Sequence, residues 1–394
     1  MPTTTIPGAT NFALQSAISA YSDEAYTTAK KLSGTGVVGS NPNIDKNTET
    51  FIGQVRWFKP LNPTINIASL TDSTNGTGTT YASDYSTYIK SVRTHGATQV
   101  NLQTIVTQQD GLAKIGRDFA ETRAQDEHNA LLAVMKGVAI SEALNGAAAA
   151  SGASGLGGQT FTNDPTDKKY GFYVDLGASA PVIASTTAIQ GAGRAEGFLN
   201  AMGMAWKDYE PEYAYLVVSP EVMASLRSAN LVDDMTVSEA NINFNTIFGG
   251  KFRLLQTRAS QGFSSAQLTK INTGVGIDIV GTKTSFIILP GSIAMEALDI
   301  PVPTEIYRDG RAYKGGGSTD IWYRWGYVAH PAGYDWVGST TVFPSDSDYQ
   351  SAVEGGVPTA LTSVVSATLA STTGVWNRKS TSAVSLGILP VFHS

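Results

Sequence analysis

The chain contains no cysteine. That single absence excludes disulfide staples, thiolate metal sites and cysteine nucleophiles together, so any covalent reinforcement has to use other chemistry. Charge is scarce as well. Asp, Glu, Lys and Arg make up 15% of the 394 residues, against roughly 25% in an average soluble protein. Ser, Thr, Asn and Gly must therefore supply much of the polar surface. So little surface charge gives up solubility as a monomer, whereas a surface covered by neighbouring subunits does not need it; the composition favours an assembly. No Lys/Arg stripe occurs and the formal net charge is −6, which leaves no basis for an electrostatic grip on nucleic acid. No window approaches the eighteen or so apolar residues of a membrane span. The opening "MPTTTIPGATNFALQ" has neither the basic n-region nor the continuous apolar core of a secretory signal. The expectation is a protein of the cytoplasm or of something assembled there, in which the sequon at Asn75-Gly76-Thr77 has no glycosylation meaning.

Residues for chemistry are equally thin. The four histidines, His95, His128, His330 and His393, have no spacing that sets two on one helical face, as zinc hydrolysis needs. His128 has Asp126 and Glu127 close by, but sequence neighbours point to different sides of a helix. "GAGRAEG" at Gly191–Gly197 imitates a dinucleotide fingerprint inside a helical stretch rather than between a strand and a helix. "YKGGGSTD" at Tyr313–Asp320 has its lysine before the glycines, so a turn between strands is expected there and not an anion loop. Trp322, Tyr323, Trp325 and Tyr327, with Arg324 among them, invite a stacking site for sugars or single strands. In a strand, however, Trp322 and Arg324 share one face while Tyr323, Trp325 and Tyr327 share the other. An aromatic core face is the simpler expectation, with a subunit contact next. We therefore expect no catalytic, cofactor-binding or metal-binding residues, and no enzyme.

What the chain does have is a succession of distinct parts. Residues 1–50 are rich in Thr, Ser, Gly, Asn and Pro, with one helical stretch near Phe12–Leu32, and are expected to be an arm. Residues 51–106 hold two extended runs, Phe51–Ile67 and Tyr88–Val106, about a glycine-rich stretch "TDSTNGTGTTYASDYS" at Thr71–Ser86, the pattern of a long hairpin loop with little core of its own. Residues 107–165 carry the clearest helix, Asp110 to about Gly146. Leu112, Ile115 and Phe119 begin its apolar stripe and Leu131, Val134, Met135 and Val138 continue it on a drifting face. Lys114, Arg117, Asp118, Glu121, Arg123 and Glu127 are expected to cover the other side. Residues 166–288 mix helices near Thr186–Ala205 and Ser219–Ala229 with strands at Tyr213–Val218 and on either side of a Gly249-Gly250 turn, then leave by "SFIILP" at Ser285–Pro290. Residues 289–394 hold two long strands about a turn at Asp309-Gly310 and close on an apolar run expected to be a paired strand.

Four segments tie this order to a known family: "DEHNALLAVMKGV" at Asp126–Val138, "YLVVSPEVMASLRSANLVDD" at Tyr215–Asp234, "IFGGKFRLLQT" at Ile247–Thr257 and "WNRKSTSAVSLGILPVFHS" from Trp376. With the succession of parts, which covers most of the chain, they resemble the major capsid proteins of tailed bacteriophages with the Hong Kong 97 fold. The resemblance implies an α+β fold with an N-terminal arm (1–50), an extended hairpin loop (51–106), a peripheral domain in two pieces (107–165 with a spine helix, and 289–394) and an inserted axial domain (166–288). It implies pentamers and hexamers of an icosahedral head that encloses double-stranded DNA without sequence-specific contacts, assembled in the host cytoplasm and ending in the virion. It also implies that the hairpin loop lies over an adjacent subunit, and that a portal and decoration proteins are further partners. No long charged helical region precedes Phe12, so a separate scaffolding protein is expected. Some relatives join subunits by a Lys–Asn isopeptide bond; Lys59 and Lys90 lie in or near the loop, but nothing in the sequence singles out such a pair. The alternatives are an encapsulin-like compartment shell of the same fold and, from another class, a surface-binding adhesin, which the missing export signal disfavours.

Overall fold

The computed structural model describes residues 34–58, 83–100, 111–150, 172–175, 197–203, 205–206, 211–237, 242–257, 283–338, 343–354, 357–359, 373–379 and 385–393. The expected arm helix, the hairpin tip, Lys59, the Asn75 sequon and most of Thr186–Ala205 lie outside these residues. In chain order the elements are β1 (Val38–Gly39), β2 (Ile52–Phe58), β3 (Ser83–Val100), α1 (Gly111–Ala150), β4 (Val174–Asp175), β5 (Ala214–Val218), α2 (Pro220–Ser228), β6 (Asp233–Val237), β7 (Ile242–Ile247), β8 (Phe252–Gln256), β9 (Lys283–Ile288), β10 (Ile293–Ala297), β11 (Thr304–Asp309), β12 (Ser318–Pro331), β13 (Tyr334–Trp336), α3 (Asp346–Tyr349), β14 (Ala352–Glu354), β15 (Val357–Thr359), β16 (Thr373–Gly374), β17 (Trp376–Arg378) and β18 (Ile388–His393). The class is α+β. Among the described residues no helix is long and apolar enough to cross a membrane.

Helix α1 is the longest element, 40 residues or roughly 60 Å at 1.5 Å per residue. Two expectations for it fail. Gly146 does not stop it, because Ala147–Ala150 follow, and four residues of the strongest helix former outweigh one glycine. Nor does its charged set cover a single solvent face. Lys114, Arg117, Asp118 and Glu121 are exposed, but from Ala130 to Leu144 every residue except Lys136 is buried, and Glu127 is buried with them. The second half is enclosed all round, by β12 on one side and by α3, β16, β17 and β18 on others, so its apolar residues need no stripe.

The first of two main sheets runs β1-β10-β12-β3-β2, with β11 also on β12. Strand β12 is its axis: β3 pairs along one edge from Val100 opposite Ser318 to Lys90 opposite Val328, while β10 and β11 lie end to end along the other. The face carrying Tyr323 and Trp325 packs on α1; the Phe119 and Tyr323 rings stack at 5.6 Å. The turn from β11 into β12 holds Tyr313 and Lys314 at positive φ (53° and 56°) ahead of Gly315 and Gly317. It is the connecting turn that the sequence suggested.

The second sheet has order β4-β18-β9-β5-β8-β7-β6. Strands β5, β9 and β18 are buried along almost their whole length, so they are near-continuous apolar runs rather than alternating ones. Helix α2 opens as expected, with Ser219 accepting from the Val222 amide and Pro220 in the first turn, and turns Val222, Met223 and Leu226 inward. Gly249 and Gly250, at φ 65° and 91°, make the β7–β8 turn. The final strand crosses the division expected at residue 289: β18 pairs with β9 from Ile388 opposite Ile288 to His393 opposite Lys283, and so lies in the second sheet between β4 and β9.

The closest backbone approach in the core is at Gly137, where a Cβ would sit 1.9 Å from the Tyr349 carbonyl oxygen and 2.8 Å from the Trp376 ring. Gly137→Ala should therefore destabilise the fold by about 1–3 kcal/mol or more, seen as a lowered urea midpoint at unchanged slope.

Candidate assembly interface

The hairpin is a continuation of the first sheet. Strand β3 pairs with β12 as far as Lys90, and from Ile89 to Ser83 it pairs with β2, Ile52 opposite Ile89 and Phe58 opposite Ser83. Ser83–Ser86, expected in the glycine-rich tip, belong to the strand. Side chains from the last third of the chain fix the root. Asp335 accepts from the Thr87 amide at 2.8 Å, and Lys379 bridges Asp335 at 3.0 Å and Asp84 at 3.6 Å.

Residues 40–50 strap the root down. Ile44 enters an apolar cluster with Val55, Tyr88, Leu298 and Val328, and the polar groups around it are matched. Glu296 accepts from Ser40 Oγ and from the Asn41 amide, and pairs with Lys46 at 3.2 Å. The fully buried Lys90 ammonium reaches Asp45 at 2.8 Å, Thr50 at 3.2 Å and the Asn47 carbonyl. Lys90 is thus engaged within its own chain, which removes it as a free partner for an isopeptide bond. Its hydrogen bond to Asp45 holds that carboxyl below its ordinary value.

A polar seam joins the sheet to α1. Arg93 reaches Asp126 (3.4 Å), the Pro344 carbonyl and Asp346 (3.3 Å), and the Trp325 indole donates to Asp126 at 2.9 Å. Burial raises the Asp346 pKa, with Asp126 adding to the rise and Arg93 opposing it. Deeper in, Glu142 and Arg378 pair at 3.5 Å, both buried, and Glu142 also accepts from the Phe172 amide at 2.7 Å.

Beyond the strap, the face of the first sheet that points away from α1 carries exposed side chains. Trp322, 45% exposed, lies over Gly96, where a Cβ would meet the indole at 2.9 Å. Tyr307 (60%) and Val302 (52%) extend the patch, and Arg324 pairs there with Glu305 at 2.7 Å. Tyr323, Trp325 and Tyr327 are buried on the other face, the division that strand alternation implied. Phe51, Ile52 and Tyr85 are further exposed apolar side chains on the hairpin root, Phe51 edge-on to Phe343 and Tyr85 beneath the Lys379 ammonium.

The histidines are not brought together. His95 is exposed, its ring edge-on to Phe119; His128 is buried in α1; His393 bonds Ser285 at 2.8 Å inside the second sheet. His330 is buried beside Tyr88 and Trp376, and burial lowers its pKa to about 4. Among the described residues no group of three metal-ligating side chains occurs. Gly191–Glu196 lie outside them. The strap and the Glu142–Arg378 pair were missed in the sequence because their partners are tens to hundreds of residues apart.

No protein-family model matches the chain, and no curated protein matches it. Among solved structures the chain is similar to the capsid of Ralstonia phage GP4, with 12% identity, 77% of this chain and 87% of that one covered, and a TM-score of 0.48. It is also similar to the head structure of Helicobacter pylori bacteriophage KHP40, with 8% identity, 93% and 91% covered, and a TM-score of 0.49. A third is the acidic stable capsid structure of Helicobacter pylori bacteriophage KHP30, with 9% identity, 90% and 88% covered, and a TM-score of 0.44.

Replacing Arg93 by Met would leave Asp126 and Asp346 facing each other without their shared cation. The variant should lose about 2–4 kcal/mol near neutral pH. The deficit should shrink as pH falls through the raised Asp346 pKa, because protonation then removes the repulsion. Urea titrations of both proteins at pH 7 and pH 4 check this.

Proposed function

We propose that the chain is the major shell protein of a tailed-phage head, building pentamers and hexamers of an icosahedral container for double-stranded DNA. The observation that carries this is β3, one continuous strand of 18 residues that is central to a core sheet at one end and pairs with β2 at the other. A two-stranded ribbon has little stability in water by itself, and this one carries exposed Phe51, Ile52 and Tyr85 at its root. Such a ribbon is stabilised by lying on another copy. The exposed Trp322–Tyr307–Val302 patch is a surface such contacts can cover, and it differs from the hairpin root, so a contact between them is head-to-tail and can close into rings. The succession of arm, hairpin, spine helix, inserted sheet and returning strands supports the same assignment. The role is structural. A scaffolding protein, a portal and decoration proteins are its further partners, and the virion is its destination.

Negative-stain electron microscopy after size-exclusion chromatography, with and without a co-expressed scaffolding candidate, tests the proposal. Closed shells, sheets or five- and six-membered rings are expected; a monodisperse monomer under both conditions overturns it. The double variant Trp322→Ser, Tyr307→Ser changes exposed side chains, so its stability should stay within about 1 kcal/mol of the parent while particle yield collapses. Deleting Asp72–Tyr81 should likewise leave a folded subunit that builds no stable shells.

A further inference from the structure

The strap covers a layer of charge that its own residues neutralise, and beside it lies an imbalance. A cavity of about 540 Å³ opens between the strap, the hairpin root and the link from β9 to β10, with Asn41, Val55, Ser86 and Leu289–Ser292 in its wall. His330 is part of that wall. It is 4% exposed, and neither ring nitrogen has a hydrogen-bond partner among the described residues. A neutral imidazole has one donor and one acceptor to satisfy, and leaving both unmade in a buried site is costly. Any state that wets the ring relieves that cost, and the cavity gives water a route to it.

We propose that residues 40–50 form a proton-released latch, which locks the hairpin root onto the sheet near neutral pH and lets go as the groups beneath and beside it take up protons. The titratable or charged side chains around His330 and the strap are Tyr88 and Lys90 from β3, Glu296 from β10, Asp299 just after it, Asp45, Lys46 and Glu49 from the strap, and Glu212 ahead of β5. Their signs agree. Burial lowers the His330 pKa from 6.5 to about 4. The released form therefore binds a proton more readily than the latched form between those values. Latching weakens as pH falls from 6.5 and has lost that contribution below about 4, at most a roughly 300-fold shift in the equilibrium. Asp45 is held below its ordinary value by Lys90 first and the Asn47 amide second. Burial raises the Glu296 pKa, but the bonds from Ser40, Asn41 and Lys46 together outweigh it and the net shift is downward. Both carboxylates contribute stability that is present above ordinary carboxylate values and lost as pH falls through their folded ones. Release thus begins with His330 and is completed when protonated Asp45 no longer offsets buried Lys90.

The latch belongs to the single chain and stands whether or not shells form, so its test is made on the unassembled full-length protein. Hydrogen–deuterium exchange, corrected for intrinsic rates, is followed from pH 7 to pH 3.5. Amides of residues 40–50 should lose protection at least ten-fold, with a midpoint between about 4 and 6.5, while those of Ala130–Leu144 stay protected. In His330→Gln the midpoint should move down toward the carboxylate range. In Glu296→Gln the strap should exchange faster already at pH 7. Strap amides that stay protected until α1 also opens would overturn the latch, as would parent and His330→Gln proteins that release at the same pH. If His330→Gln does not fold, the Glu296→Gln result decides, and unchanged exchange at pH 7 sinks the proposal. Failure of the capsid assignment shows separately, as absence of particles.

Discussion

Everything in this fold leans on the pairing of β3 with β12. The two strands run side by side from Val100 and Ser318 to Lys90 and Val328, and each then carries a separate duty. Strand β12 presents Tyr323, Trp325 and Tyr327 to α1 and so seats the helix. Strand β3 continues past β12 to pair with β2. A register slip by one residue would turn the aromatic face outward and Trp322 inward, unseating the helix and misdirecting the hairpin together. The Arg93 seam guards against that, since Arg93 on β3 and Trp325 on β12 both reach Asp126 on α1.

The two sheets are held by few covalent links and by buried polar contacts at the joint. The β9–β10 link crosses at Leu289–Ser292, and the last strand returns to the second sheet through Gly387, whose carbonyl accepts from the Leu289 amide and whose lack of a side chain leaves room for Ser292. Glu142 near the end of α1 reaches both Arg378 on β17 and the Phe172 amide at the opening of the inserted block. Breaking such a buried pair by removing one partner is far more damaging than replacing both by apolar groups. The joint is therefore specified by geometry as much as stabilised by it.

Much of this was legible along the chain, wherever the physics is local. The α2 opening shows in Ser219-Pro220, the β7–β8 turn in Gly249-Gly250, and the two faces of β12 in strict alternation. Helix α1 was plain in kind but not in extent, because a polyalanine run carries it past Gly146. What sequence hid was long-range. No pattern says that β18 crosses into the second sheet, that Ile44 and Asp45 fold over Tyr88 and Lys90, or that both His330 ring nitrogens lack a hydrogen-bond partner among the described residues. Buried pairs such as Glu142–Arg378 read as surface charge until tertiary structure brings them together.

That last point sharpens the argument from composition. Charged residues are only 15% of the chain, and Lys90, Glu127, Glu142, Glu296, Asp335 and Arg378 are buried among them. The exterior is thus poorer in charge than the sequence suggests, while it exposes aromatic side chains in two separate places. A monomer built this way has weak protection against association. The few charges set inside are structural: Lys90 and Glu296 hold the strap, Asp335 the hairpin root, and Glu142 and Arg378 the joint between the sheets.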